Sequence, residues 1–190
     1  MEVGEGVTQD KETKSRGRQI VMTLGLCDIT NDDLPLIELW LQADHVRGAW
    51  GDPDANVRLL NGSRINGNSR AIIEADGRKV GLVFWQHPTR DELDIAGLAD
   101  ISTSVIDIDI MIGEIDAVGL GIGSSAIRLV AETALSDPTV PFVMACAQLG
   151  NLASQRAFAK AGFRKDREFD DVPNGRYVLM VRHRQKRQNT

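Results

Sequence analysis

Between Ser102 and Leu135 the chain runs STSVIDIDIMIGEIDAVGLGIGSSAIRLVAETAL. Strict alternation predicts a strand, the glycines a tight loop, and the periodicity that follows a helix opening at Gly121 or just after. A strand that delivers its chain to a glycine-rich helix start can cradle a phosphate. The first N–H groups of the helix lack internal partners, and its dipole adds positive potential there. The loop from Ala117 to Ser124 has no Lys-Ser/Thr pair, so it is not a P-loop. It also lacks the third spaced glycine of a dinucleotide fingerprint, Ser124 standing in that place, and its strand is fourth in line rather than first. On the glycines alone, a phosphate cradle and a glycine turn that packs a helix close to a sheet are both open.

The flanking chain predicts one mixed α/β domain. A first strand covers Ile20–Leu26. Thr30 or Asn31 caps a helix with Pro35 in its first turn and an apolar stripe of Leu36, Leu39 and Trp40. The segment HVRGAWGDPD reads as irregular, and a short helix follows at Ala55–Leu60, ended by Asn61-Gly62. Ser69–Ala75 and Val80–Gln86 flank Asp76-Gly77, a hairpin signal. A polar loop from His87 to Ile101 leads into the long strand. After the glycine loop, Ile122, Ala126, Ile127, Leu129 and Val130 give a helix of about four turns that stops at Asp137-Pro138. Val140–Ala147 is a strand buried on both faces, Asn151 opens a helix closed by Gly162, and Phe163–Glu168 with Arg176–Arg182 make a final hairpin. Residues 1–19 read as a disordered tail or leader, 20–183 as the domain, and 184–190 as a flexible tail.

Charge narrows the function classes. A net charge of −5 over 190 residues argues against nucleic acid held by bulk electrostatics. Cys27, Cys146 and three scattered histidines show no metal-ligand spacing, so no metal is expected, and the free thiols suit a reducing compartment. No apolar run nears the roughly 18 residues of a membrane span, and the expectation is a cytoplasmic protein without membrane partners. From Asp91 to Asp116 there are eight carboxylates, Asp94, Asp107 and Asp109 among them, and no Lys or Arg. That field attracts a polycationic small molecule; the bland alternative is a solubilising loop.

In the long strand, Ile106, Ile108, Ile110 and Ile112 share the core face, and Val105, Asp107, Asp109 and Met111 share the other. Two carboxylates about 7 Å apart on a covered face raise one another's pKa toward that of a useful base. A β-bulge would turn one of them away. Trp50, between glycines, and Trp85 are candidate walls for a sugar or cation; Trp40, on its helical stripe, reads as core.

The element order, the glycine loop and NLASQRAFAKAGF at Asn151–Phe163 together resemble the GCN5-related N-acetyltransferase superfamily. HVRGAWGDP, DIDIMIGE with GLGIGSSAI, and NLASQRAFAKAGF most resemble its aminoglycoside 6′-N-acetyltransferases, and acyltransferases of siderophore assembly share much of the pattern. The resemblance covers roughly residues 20–183. It implies a mostly antiparallel sheet of about seven strands with about four helices, splayed between the fourth and fifth strands, and acetyl-CoA as cosubstrate. The pyrophosphate would meet Val118, Gly119, Leu120, Gly121, Ile122, Gly123 and Ser124. The pantetheine arm would lie along Ile110, Met111 and Ile112, with Phe158 and Asn151 beside it, Asn151 either bonding it or capping its helix.

Asp109 falls where the aminoglycoside enzymes place an Asp beside the acceptor amine, which makes it the expected catalytic base; Trp50, Trp85, Asp94 and Asp107 are the expected acceptor contacts. Three departures stand out. No cation occupies Val118 or Leu120, so phosphate binding falls to main-chain donors. Ala145-Cys146-Ala147 replaces a Thr-Asp-Pro run, and Phe158 replaces a Tyr that serves as acid. Cys146 has no His partner for a nucleophilic role. The implied activity is direct acetyl transfer to an amine of a cationic small molecule, foremost an aminoglycoside 6′-amine. The alternatives are siderophore or lysine-derived amines, protein amines, or a non-catalytic acyl-CoA sensor; a homodimer is open.

Overall fold

In the computed structural model, which describes residues 22–54, 56–57, 69–172 and 174–185, seven strands form one sheet. They are β1 (Leu24–Cys27), β2 (Ser69–Ala75), β3 (Arg78–Gln86), β4 (Ile106–Ile112), β5 (Phe142–Gln148), β6 (Arg164–Asp171) and β7 (Gly175–His183). Their spatial order is β1-β2-β3-β4-β5-β7-β6. Every neighbouring pair is antiparallel except β4 and β5, which run parallel and keep register only at Ile106–Val143 and Asp107–Met144. Beyond those pairs the two strands part, and a gap opens toward the C-terminal end of β4. The expected splay is there.

Five helices are described: α1 (Leu34–Gln42), α2 (Asp44–Trp50), α3 (Arg90–Ile95), α4 (Ile122–Ser136) and α5 (Leu152–Lys160). The expected tail at 1–19, the start of the first strand, most of the Ala55–Leu60 helix with its Asn61-Gly62 stop, and residues 186–190 lie outside the described residues. Arg184, expected in the C-terminal tail, is anchored: Nε donates to the Leu135 carbonyl at 2.9 Å and Nη2 to the Asp137 carbonyl at 2.7 Å.

Three elements differ from the sequence reading. The first six residues of HVRGAWGDPD, His45–Trp50, are not irregular; they belong to α2, where Val46 buries in a group with Met111 and Ile72 and Gly51, at a φ of +75°, ends the helix. The polar loop after His87 contains α3, capped by Thr89, whose hydroxyl accepts from the Glu92 N–H while the Glu92 carboxylate accepts from the Thr89 N–H. On α1 the buried stripe is Ile37, Trp40 and Leu41; Leu39 is exposed. Pro35 occupies the first turn as expected, and Thr30 donates backbone and hydroxyl hydrogens to Asp33, each at 2.9 Å.

The sheet has two unlike faces. On one, α4 and α5 cover a continuous core that includes Ile73, Val83, Ile108, Ile127, Val143, Phe158 and Val178. On the other, α1 and α2 bury Ile37, Trp40 and Leu41 on Ile72, Leu82 and Met111. A separate group, Leu93, Leu98, Ile101 and Val105, packs on Met144 and Leu179. Asp107 and Asp109 lie on β4 between these two groups. β4 is locked close to α1 at Gly113, where a Cβ would lie 2.0 Å from the Trp40 ring.

Candidate active site

Strand β4 pairs with β3 without interruption from Gly81–Ile112 to Gln86–Asp107. No bulge therefore turns either carboxylate, and Asp107 and Asp109 face the same side. Strand hydrogen bonding alternates, so Asp109 and Met111 give their backbone groups to β3, while Ile110 and Ile112 turn theirs toward the gap. The Ile110 carbonyl accepts from Trp50 Nε1–H at 3.2 Å, and the Ile112 carbonyl bonds His45 Nε2 at 3.0 Å. Helix α2 thus closes the strand edge where β5 has left it.

A cavity of about 420 Å³ fills the gap. One wall is β4 and α2, through Asp109, Ile110, Met111, Ile112, His45 and Trp50. Another is the glycine loop, through Val118, Gly119, Gly121, Gly123 and Ser124. The remainder comes from the ends of β5 and β7 and from α5, with Cys146, Gln148, Asn151, Phe158 and Tyr177. In the loop, Gly119 and Gly121 hold φ of +83° and +85°. This conformation strains any side chain with a Cβ, and at Gly119 nothing lies within 4 Å of where one would stand. The first backbone bond of α4 runs from Ser125 N–H to the Gly121 carbonyl at 3.1 Å, so the preceding N–H groups end the helix unpaired. Main-chain donors, a roomy bare backbone and a channel along β4 fit a phosphate-bearing ligand with a long arm.

Two side chains add what the loop lacks. Arg156 and Lys160, one turn apart on α5, line the same cavity. Cationic side chains as well as main-chain donors therefore stand on the cavity wall. Asn151 caps α5, its Oδ1 accepting from Ser154 N–H at 3.0 Å, while also forming cavity wall. Leu120 points outward at 65% exposure, and Ile122 is buried in the core, so neither side chain lines the cavity.

The carboxylates are tuned by their surroundings. Asp109 is exposed toward the cavity, and the protein packed around that cavity still desolvates its carboxyl enough to push its pKa up to about 6. Asp107 lies deeper; its Oδ1 is buried without a hydrogen-bond partner among the described residues. Burial first, then the Asp109 charge, push Asp107 well above the usual carboxylate range. Phe84 sits opposite Asp109 on β3, and its ring leans on Trp50 at 6.1 Å between centroids. Burial, then Asp107, Asp109 and Asp171, push the Cys146 thiol upward, which argues against a thiolate nucleophile there.

The structure does not bring every expected acceptor contact to the cavity. Trp85 turns to the opposite face and packs on the large core. Asp94 lies on α3, exposed and paired with Arg90 at 2.9 Å. The acidic run itself is largely answered by cations from outside it: Asp100 by Arg167, and Asp116 with Glu114 by Arg78. Among its members, Asp107 and Asp109 lie on β4, and Asp109 faces the cavity. Tyr177 was beyond reach from sequence, because only the Gln148–Tyr177 pairing of β5 with β7 carries it to the wall. His45 and the α5 cations were likewise invisible without the fold. Among the described residues no cluster of His, Cys, Asp and Glu could hold a metal, and no described helix is long and apolar enough to cross a membrane.

A parallel pair that parts over a glycine-loop helix, with a carboxylate facing the gap, is an arrangement able to seat a phosphate-bearing donor beside an acceptor. Residues 30–171 match the family model described as an acetyltransferase (GNAT) domain; the chain belongs to this family, an N-acyltransferase that takes acetyl from acetyl-CoA. The aminoglycoside N(6′)-acetyltransferase type 1 of Klebsiella pneumoniae is 23% identical, covering 85% of this chain and 84% of its own. The structure of AAC(6′)-Ib with paromomycin and acetyl-CoA superposes with a TM-score of 0.70 at 23% identity, covering 89% of this chain and 98% of that one. The same protein with ribostamycin and coenzyme A gives 0.71 at 22%, with the same coverage.

Proposed function

We propose that this chain acetylates an amine of a polycationic small molecule, foremost the 6′-amine of an aminoglycoside, by direct attack. The observation that carries the reading is Asp109: a carboxylate with a pKa raised to about 6, facing the cavity where β4 and β5 part. An ammonium must lose a proton before it can attack, and a base titrating near 6 is ionised and competent at neutral pH. Asp171, whose charge the Cys146 thiol also feels, adds negative potential for further ammonium groups. The relatives named for aminoglycoside acetylation support the same acceptor class.

The donor is held by the loop N–H groups of Gly119–Ser124, by Arg156 and Lys160, and by the β4 edge. When bound, it supplies an acetyl group activated as a thioester. The Ile110 and Ile112 N–H groups face the gap, and one of them can donate to its carbonyl oxygen. With phenylalanine at 158, Tyr177 is the phenol on the cavity wall available to return a proton to a departing thiolate. A thiol pKa near 8.5 makes that help small, and water serves as well.

The test follows release of free thiol from acetyl-CoA across paired aminoglycosides carrying an amine or a hydroxyl at the 6′ position. Turnover with the amines and none with the hydroxyl compounds is expected. Turnover only with siderophore-type, lysine-derived or protein amines would replace the acceptor; CoA binding without turnover of any amine would leave a sensor.

A further inference from the structure

Strand β4 sets Asp107, Asp109 and Met111 on one face, and β3 answers each across the ladder: Gln86 opposite Asp107, Phe84 opposite Asp109, Leu82 opposite Met111. Of the three, only Asp109 is opposed by an aromatic ring. Directly opposed residues hold their Cβ atoms about 4.5–5.5 Å apart, so Phe84 and the carboxyl group stand side by side. The Phe84 ring leans on Trp50, tilted by 43° at 6.1 Å between centroids. Trp50 Nε1–H is engaged by the Ile110 carbonyl, so the indole turns ring carbon toward Phe84. Both rings are half-buried against the group of Ile37, Trp40 and Met111. Asp109 therefore has two unlike sides, one open to the cavity and one flanked by apolar rings.

The charged and titratable groups nearby do not supply that flank. Asp107 precedes Asp109 on β4, with Glu92 of α3 beyond it, and Cys146 of β5 faces both, with Asp171 of β6 beyond. His45 of α2, Tyr177 of β7 and the cations Arg156 and Lys160 of α5 line the cavity, and Arg70 of β2 shares the row with Phe84 between. Among the described residues no hydrogen bond or ion pair joins any of these side chains to the Asp109 carboxylate, and desolvation is the cause of its raised pKa. Cations would act in the opposite sense.

We propose that Phe84 is a positioning residue for the base: its ring, braced by Trp50, keeps water from one side of the Asp109 carboxyl and so makes it a stronger proton acceptor. The step it serves breaks an ammonium N–H bond and forms the O–H bond of Asp109, and a base of higher pKa takes the proton more readily. At the ordinary carboxylate value near 3.9, the proton affinity of Asp109 would be about 100-fold lower. The role rests on the reading of Asp109 as the base, and the test separates the two.

Wild type, Phe84→Gln and Phe84→Leu are compared, with circular dichroism to confirm folding. The Asp109 carboxyl is titrated directly by NMR of isotope-labelled aspartate, its signal identified by its loss in Asp109→Asn. In parallel, kcat/KM is followed against pH with ribostamycin as acceptor. Gln fills the place of the ring with a hydrated amide, whereas Leu keeps the flank apolar. Phe84→Gln should lower both the titration and the kcat/KM limb by about one pH unit or more. It should also lower kcat at neutral pH about 3- to 10-fold, with KM for acetyl-CoA unchanged. Phe84→Leu should keep both near the wild-type value of about 6. An unmoved titration in Phe84→Gln overturns the proposal, as does a Leu variant that shifts as far as Gln. If the titrations move as expected but wild type shows no turnover or no limb near 6, the base reading falls. Phe84 then tunes a carboxyl that does not catalyse, and its role falls too.

Discussion

The two faces of the sheet carry opposite designs, and β4 shows both within one dipeptide. Ile108 enters an unbroken apolar core under α4 and α5, with no exposed surface at all. Asp109, the next residue, faces a side where the apolar packing is split into two groups with carboxylates between them. Continuous burial supplies stability on the first face, at about 1.5–3 kcal/mol per large side chain. On the second, burial is withheld where charge is needed, and the partial desolvation that results prepares Asp109 as a base. One face holds the strand in place so that the other can keep an unfavourable group at a fixed position.

That contrast can be broken residue by residue. Ile108→Ala should be the largest change, costing about 2–5 kcal/mol of stability through the cavity it leaves; denaturant unfolding measures it. Asp109→Asn should leave the fold intact and lower kcat roughly 100-fold or more, with CoA affinity nearly unchanged. In the wild type kcat/KM should rise with pH through about 6 and level off above, since the working form is the deprotonated one; the Asn variant should lose this limb. A variant as active as wild type would remove Asp109 from the mechanism.

Asp107→Asn sharpens the contrast in the other direction. Its folded pKa is raised, so the folded state holds the proton more tightly than the unfolded chain, and the associated stability is lost as pH rises through the folded value. The Asn variant should melt higher than wild type at neutral pH, with the difference vanishing in acid; thermal unfolding across pH decides. The smallest effect is expected at the donor end. Arg156→Ala or Lys160→Ala should each weaken CoA roughly two- to five-fold, less for dephospho-CoA, with the difference shrinking in high salt.

The legible parts of the sequence were those with local periodicity. The alternation of Ile106–Ile112, the glycines at φ near +85°, and the stop at Asp137-Pro138 are near-neighbour effects, and all appear as expected. Asp76-Gly77 turned its hairpin for the same reason. What stayed hidden depended on pairing at long range. Trp85 and Trp50 look alike in sequence, but the register with Ile108 sends Trp85 to the core, while α2 sends Trp50 to the cavity. The acidic run looked like a single field; Arg78 and Arg167, distant in sequence, pair Glu114, Asp116 and Asp100, and Arg90 pairs Asp94. The Thr89–Glu92 cap was a local signal that the surrounding polarity obscured.

The seam between β4 and β5 also shapes how the chain reaches this structure. Each antiparallel half, β1 to β4 and β5 to β7, is a contiguous stretch of chain built largely from strands close in sequence. The seam joins them through only two register pairs and closes over the whole of α4. Local pairings form ahead of those that close long loops. The two halves should therefore acquire protected amides first and the seam last, an order that pulsed hydrogen exchange during refolding reads directly. The catalytic cleft is thus a late product of folding, made when two finished pieces dock.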